Sequence, residues 1–93
     1  MSAYVSVIAS PKDADKMAEY SAVAGPLVAQ YGGELVCRGP LETLHGETSH
    51  KVLVVLKFDT KQAAKDWYNS SEYQAIIPTR NQGMDALFVV AGD

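Results

Sequence analysis

The sequence predicts a single α+β domain, in which a four-stranded antiparallel sheet carries its helices on one face. Its 93 residues leave room for one domain of common size, and the 47% hydrophobic content supports one small core. Segments rich in β-branched residues alternate with segments of helical periodicity in the order strand, helix, strand, strand, helix, strand. This order is typical of the split β-α-β arrangement, with residues 1–93 forming one domain.

The first two predicted elements are a strand over residues 4–9 and a long helix. Asp13 suits a helix N-cap, and Pro26 inside the helical pattern predicts a bend. Gly32-Gly33 predicts the left-handed C-cap that ends the helix. The core face of this helix is predicted from apolar side chains spaced by three and four, namely Met17, Tyr20, Ala24, Leu27 and Tyr31.

The second strand is predicted over residues 34–39, where Leu35 and Cys37 share one face and Arg38 lies on the other. Cys37 is expected to be a small buried apolar side chain. Residues 41–44 either continue the strand after a bulge or belong to the exposed loop over residues 45–50.

The third strand, residues 51–59, is apolar on both faces at its centre and therefore belongs in the middle of the sheet. Val52 and Leu56 are apolar on one face and Leu53 and Val55 on the other, so the face without helices also needs a cover. A homodimer that pairs two such sheet faces is the simplest cover, and a small domain gains from the added burial.

The remaining elements are two helices and a strand. Thr60 suits the N-cap of a helix over residues 61–68. Ser71, with Gln74 three residues later, fits a capping box for a second short helix over residues 72–77, ending before Pro78. Residues 86–91 form the last predicted strand.

Charge and composition exclude several classes of function. Eight Lys and Arg against eleven Asp and Glu give a net charge of −3, which argues against nucleic acid as a partner. No apolar run approaches the ~20 residues of a membrane span, and the N-terminus lacks signal-peptide features, so we expect a cytoplasmic protein with no membrane partner. Neither a phosphate-binding glycine loop nor a nucleophile elbow is present, and no cofactor is expected.

Several motifs spread over nearly the whole chain resemble the DUF1330 family. Ser71 stands where that family usually has proline, and His45 stands where it usually has glutamate. The motifs that carry the resemblance are Tyr20 with Gly32-Gly33, Arg38-Gly39, Leu44-His45-Gly46, Val54-Val55-Leu56-Lys57-Phe58, and above all Trp67-Tyr68-Asn69-Ser70-Ser71-Glu72-Tyr73-Gln74 followed by Arg80.

The resemblance implies a dimeric α+β barrel built from ferredoxin-like protomers. Proteins of related fold include cofactor-free antibiotic-biosynthesis monooxygenases, muconolactone isomerases and haem-degrading monooxygenases, while the biochemical role of the family itself is largely undefined. Because a fold does not transmit a reaction, the resemblance predicts the architecture and leaves the chemistry open.

Four side chains are candidate ligand contacts in a pocket between sheet and helices. The guanidinium groups of Arg38 and Arg80 suit a carboxylate or enolate, although Arg38 equally suits a surface ion pair and Arg80 an exposed loop. Tyr68 and Tyr73 lie at the junction of two helices and suit either an aromatic ligand or core packing. For Trp67, core packing is favoured.

His45 and His50 are the weak candidates for a catalytic base, because only histidine titrates near neutral pH without a perturbed environment. Both lie in the polar loop, where a solvated side chain is the ordinary situation. They lack a third ligand at a convincing spacing, so no metal site is expected.

Three functions remain open after these observations. The leading one is binding of a small aromatic or carboxylate-bearing molecule. The second is a cofactor-independent isomerase or monooxygenase that stabilises an enolate with an arginine or tyrosine. The third is a non-catalytic structural or regulatory interaction module, which would need no cavity.

Overall fold

The computed structural model describes residues 2–92, which form four strands and three helices. All neighbouring strands are antiparallel, and their order across the sheet is β2-β3-β1-β4, as the split β-α-β arrangement predicts. The elements in chain order are β1 (Ala3–Pro11), α1 (Ala14–Gln30), β2 (Glu34–Pro40), β3 (Val52–Phe58), α2 (Lys61–Asn69), α3 (Ser71–Gly83) and β4 (Met84–Gly92).

The helices pack on one face of the sheet and leave the other face open. Alternate residues of β1, such as Val5 and Val7, are buried and belong to one core cluster with side chains of α1, α2 and α3. The molecule is only 16 Å thick, as expected for one sheet and one helical layer. We call the opposite side the open face; the register places on it Tyr4, Ser6, Ile8, Leu53, Val55, Leu87 and Val89.

Helix α1 begins and ends at the predicted caps and continues through Pro26. Asp13 Oδ1 accepts hydrogen bonds from the backbone N–H groups of Asp15 and Lys16 at 3.0 and 3.1 Å. At the other end, Gly32 adopts a φ of 79°, and the Gly33 N–H donates to the Val28 carbonyl at 2.8 Å. This arrangement is a Schellman cap, which requires the left-handed backbone that glycine supplies.

Strand β2 differs from its predicted face pattern because its bulge lies earlier, at Val36. Leu35 pairs with Leu56 and Cys37 pairs with Val55, so the pairing skips one residue. Cys37 therefore moves to the open face, where it is exposed, and the expectation of a buried cysteine is wrong. Residues 41–44 are not a strand, and Leu44 is 98% exposed.

Helix α3 is longer than predicted, since it continues through Pro78 to Gly83. The packing of its last turn against the start of α1 explains why the helix does not stop at the proline. The Gly83 carbonyl accepts from the Lys12 N–H at 2.7 Å, and a Cβ at Gly83 would meet the Met17 backbone nitrogen at 2.9 Å. Tertiary contacts thus outweigh the one hydrogen bond that Pro78 removes. Arg80 consequently lies on a helix instead of a loop.

Ser70, and not Ser71, caps α3, and its hydroxyl also fixes the junction with α2. Ser70 Oγ accepts from the Tyr73 N–H at 3.2 Å and donates to the Trp67 carbonyl at 2.8 Å. The Ser70 side chain itself is buried. We expect Ser70→Ala to lower the free energy of unfolding by about 1–2 kcal/mol. Ser71→Ala is the matched control and should change it by less than about 0.5 kcal/mol. Urea denaturation measures both, and equal losses would contradict this assignment.

Candidate functional site

Three of the four predicted contact residues meet in one hydrogen-bonded cluster on the helix side of the sheet. Arg80 Nη1 donates to the Tyr68 hydroxyl at 2.9 Å and to the Tyr73 hydroxyl at 3.2 Å. Tyr68 is on the last turns of α2, whereas Tyr73 and Arg80 are on α3 two turns apart. The cap at Ser70 sets the angle between these helices and thereby brings the three side chains together.

Tyr20 extends the cluster from α1. Its hydroxyl lies 2.7 Å from the Tyr73 hydroxyl, and the two rings meet edge to face. Burial is the largest cause that raises the pKa of Tyr20 and of Tyr73 above the ordinary tyrosine value, and for Tyr20 the neighbouring Tyr73 adds to it. Both hydroxyls therefore stay protonated at neutral pH, where they donate hydrogen bonds and do not act as bases.

Arg80 holds its positive charge among neutral groups. Burial alone lowers its pKa, but the hydrogen bonds to Tyr68 and Tyr73 outweigh it and leave the pKa of Arg80 raised. Its remaining contacts are Asn81 Oδ1, at 3.3 Å from both Nε and Nη2, and the Phe88 ring, whose centroid lies 4.7 Å from Cζ. Within residues 2–92, no carboxylate lies within ion-pair distance of Arg80.

A cavity of about 230 Å³, open to solvent on one side, lies between α2 and the sheet, and two of its lining residues, Tyr68 and Phe88, also contact Arg80. Its volume is of the order that holds one aromatic ring. The side chains that line it are Ala64, Lys65, Trp67, Tyr68 and Asn69 from α2, Val5 from β1, and Phe88, Val89 and Val90 from β4.

Two of the lining residues have a hydrogen-bond donor without an acceptor among the described residues. The Trp67 indole Nε1–H is buried and has no partner, and because Trp67 is only 1% exposed this N–H is closed off from the open space of the cavity. The Tyr68 oxygen accepts from Arg80, and its own hydrogen has no acceptor in residues 2–92. An acceptor atom placed at the Tyr68 hydroxyl would therefore complete its hydrogen bonding.

The other predicted residues lie elsewhere. Arg38 pairs with Val54 on the outer strand β2, so it shares the helix side of the sheet but is separated from β4 by β3 and β1. It is exposed, and within residues 2–92 it forms no ion pair. His50 contacts Ser10 Oγ at 2.9 Å on the open face, and His45 is exposed in the loop.

Neither a metal centre nor a membrane span is found in the part of the chain that the structure describes. No three His, Cys, Asp or Glu side chains in residues 2–92 are grouped so that they hold a metal ion. None of the helices within this range is both long and apolar enough to cross a membrane.

Sequence reasoning identified Tyr20 as core and overlooked Phe88 as part of the site. The signal for Tyr20 was available, because a tyrosine on a core-facing stripe needs a partner for its hydroxyl when it is buried. No signal marked Phe88. Its contact with Arg80 depends on the packing of α3 over β4 and on the continuation of α3 past Pro78, which local sequence patterns do not contain.

Solved structures of similar fold cover the whole length of the chain at low identity. A protein of unknown function from Rhodopseudomonas palustris has a TM-score of 0.76 and 17% identity, over 99% of this chain and 82% of that one. A dimeric ferredoxin-like protein of unknown function from Jannaschia sp. CCS1 has a TM-score of 0.74 and 16% identity, over 100% of both chains. The cofactor-independent oxygenase SnoaB from Streptomyces nogalater has a TM-score of 0.70 and 8% identity, over 99% and 92%.

These similarities establish a ferredoxin-like α+β fold and do not by themselves assign a reaction. The comparison with curated protein sequences gives no match. The model of the DUF1330 family, described as a domain of unknown function, matches residues 2–93. The chain therefore belongs to the DUF1330 family.

Proposed function

We propose that this protein binds a small aromatic or carboxylate-bearing molecule in the cavity between α2 and the sheet. The observation that carries the proposal is the Tyr68 hydroxyl: Tyr68 lines the cavity, its oxygen accepts from Arg80, and its own hydrogen has no acceptor in residues 2–92. Because Arg80 donates to the Tyr68 oxygen, it polarises this hydroxyl and makes it a stronger donor toward a ligand oxygen.

The walls of the cavity favour a flat apolar body beside the Tyr68 hydroxyl. Phe88, Val5 and Val90 line the sheet side, and the Trp67 and Tyr68 rings lie 6.2 Å apart at 64° on the helix side. Such a lining of aromatic and aliphatic side chains with a few convergent polar groups is typical of small-molecule sites. Tyr73 and Arg80 contribute through Tyr68, while Arg38 remains a separate predicted contact on the far strand.

A binding assay on matched variants tests the proposal. Tyr68→Phe keeps the ring and removes the donor, so we expect the affinity for benzoate and phenol, measured by calorimetry, to fall about 10-fold or more. Tyr4→Phe makes the same chemical change on the open face and should leave binding unchanged. Equal affinities of Tyr68→Phe and the unsubstituted protein would contradict the site.

A second candidate function is turnover of such a molecule by a cofactor-independent isomerase or monooxygenase. The structural similarity to SnoaB favours it, and the polarised Tyr68 hydroxyl suits a developing enolate oxygen. The candidate bases His45 and His50 lie in the loop and on the open face, so the substrate would have to ionise without them. To test this candidate, the protein is incubated with a hydroquinone that it binds, and oxygen uptake is measured.

A purely structural module is the third candidate, and the cavity with the Tyr68 hydroxyl in its lining favours ligand binding over it.

We also propose that the protein is a homodimer joined through the open face. The structural relatives described as dimeric support this proposal, as does the apolar composition of that face. We propose in addition that the protein is cytoplasmic, as predicted from the sequence.

A further inference from the structure

We propose that Lys65 makes the cavity selective for anionic ligands, so that the bound molecule is a single-ring aromatic acid whose carboxylate lies at Lys65. This inference rests on the proposed binding function and narrows it to one class of ligand. Its basis is the charge and the hydrogen-bonding groups of the side chains that line the cavity.

The charged side chain that lines the cavity is a cation. Lys65 is among the lining residues, and none of them is acidic. The Tyr68 oxygen accepts from Arg80, so its own hydrogen is available to a ligand oxygen. An amine or other cation would meet a like charge here and no carboxylate, whereas a carboxylate would meet the ammonium group of Lys65.

Lys65 is free to provide the charge. It is exposed on α2, two residues before Trp67, and within residues 2–92 it forms no ion pair. The nearest acidic residue in sequence, Asp66, accepts instead from Gln62 Nε2 at 2.9 Å. The exposed ammonium group therefore gives the open side of the cavity a positive charge.

The positions of Lys65 and Tyr68 also determine how the ligand lies. The ring fills the apolar space against Phe88 and Val90, and a hydroxyl or carbonyl oxygen on the ring accepts from the Tyr68 hydroxyl. The carboxylate stays at the mouth, where Lys65 binds it and water solvates it. Leaving the carboxylate in contact with water avoids the large cost of burying a charge.

The test compares three single-ring probes of similar size, benzoate, benzyl alcohol and benzylamine, on the full chain by calorimetry at low salt. We expect benzoate to bind at least 10-fold more tightly than benzylamine, because the amine places a second positive charge near Lys65 and leaves the Tyr68 hydroxyl without an acceptor. Lys65→Met keeps most of the aliphatic length and removes the charge. This substitution should lower the affinity for benzoate about 3-fold and leave the affinity for benzyl alcohol unchanged. Lys61→Met, on the same helix but away from the cavity lining, is the control.

The outcomes separate this inference from the proposed function. If none of the three probes binds, the proposed function itself is contradicted. If benzyl alcohol or benzylamine binds as tightly as benzoate, the cavity binds ligands but does not select anions, and the inference is overturned. An equal loss of benzoate affinity in Lys65→Met and Lys61→Met would also overturn it, because general surface charge would then explain the preference.

Discussion

Replacement of Phe58 by alanine is expected to lower the free energy of unfolding by about 3–5 kcal/mol, because the side chain is fully inside the core. Phe58 is 1% exposed, and its ring centroid lies 5.7 Å from that of Trp67. On its other side Gly33 approaches so closely that a Cβ there would lie 2.5 Å from the ring. Neither neighbour can move easily to fill the space, so the substitution leaves a cavity.

Guanidinium denaturation at one fixed protein concentration measures this loss, since a dimer would make stability depend on concentration. Phe88→Ala is the matched control: it removes the same atoms from a half-buried position on β4, so a smaller loss is expected. Because Phe58 supports Trp67, we also expect Phe58→Ala to weaken ligand binding at the cavity. A loss below about 1 kcal/mol in Phe58→Ala would contradict the packing described here.

The fold was predictable because its signals are local and repeated. The alternation of β1 and β3, the cap at Asp13 and the stop at Gly32-Gly33 each depend on a few neighbouring residues, and the structure confirms all of them. The central place of β3 followed from its apolar residues on both faces, and the strand order confirms it.

The wrong predictions concern features of the fold that depend on contacts between residues distant in sequence. The bulge at Val36 shifts Cys37 to the open face, and only the pairing of β2 with β3 reveals it. Pro78 is a local stop signal, yet the docking of Gly83 against α1 continues the helix. Ser70 and Ser71 are adjacent and chemically equivalent caps, so a shift of one residue was beyond what sequence alone resolves.

The candidate site was predictable in part for the same reason. Tyr68, Tyr73 and Arg80 lie within 13 residues and meet because two consecutive helices carry them. Arg38 comes from another part of the chain, and its distance from this cluster depends on the strand order. The free hydrogen of the Tyr68 hydroxyl could not be inferred from sequence, since it is defined by a partner that the fold does not supply.

A charge placed in the open face is expected to separate the proposed homodimer into monomers. Ile8 pairs with Leu53 on one side and Leu87 on the other, so an apolar row crosses the centre of this face. The face belongs to a molecule that measures 30 × 30 Å across its two long axes, which is large enough for the ~800 Å² that each partner buries in a stable interface. The exposed surface of 5750 Å² also exceeds the roughly 5,200 Å² expected for a folded monomer of this mass.

Leu87→Lys places that charge at a side chain that is 53% exposed in the protomer, so the fold itself should tolerate it. In a twofold interface the substitution occurs twice, and buried like charges cost several kcal/mol, so the dissociation constant should rise about 1,000-fold. Light scattering across a dilution series should then show a species near 10.0 kDa, whereas the unsubstituted protein should show twice that mass. Val23→Lys, on the helix side, is the control and should remain dimeric. A monomeric unsubstituted protein, or a Leu87→Lys variant that stays dimeric at every dilution, would show that the open face is not the interface.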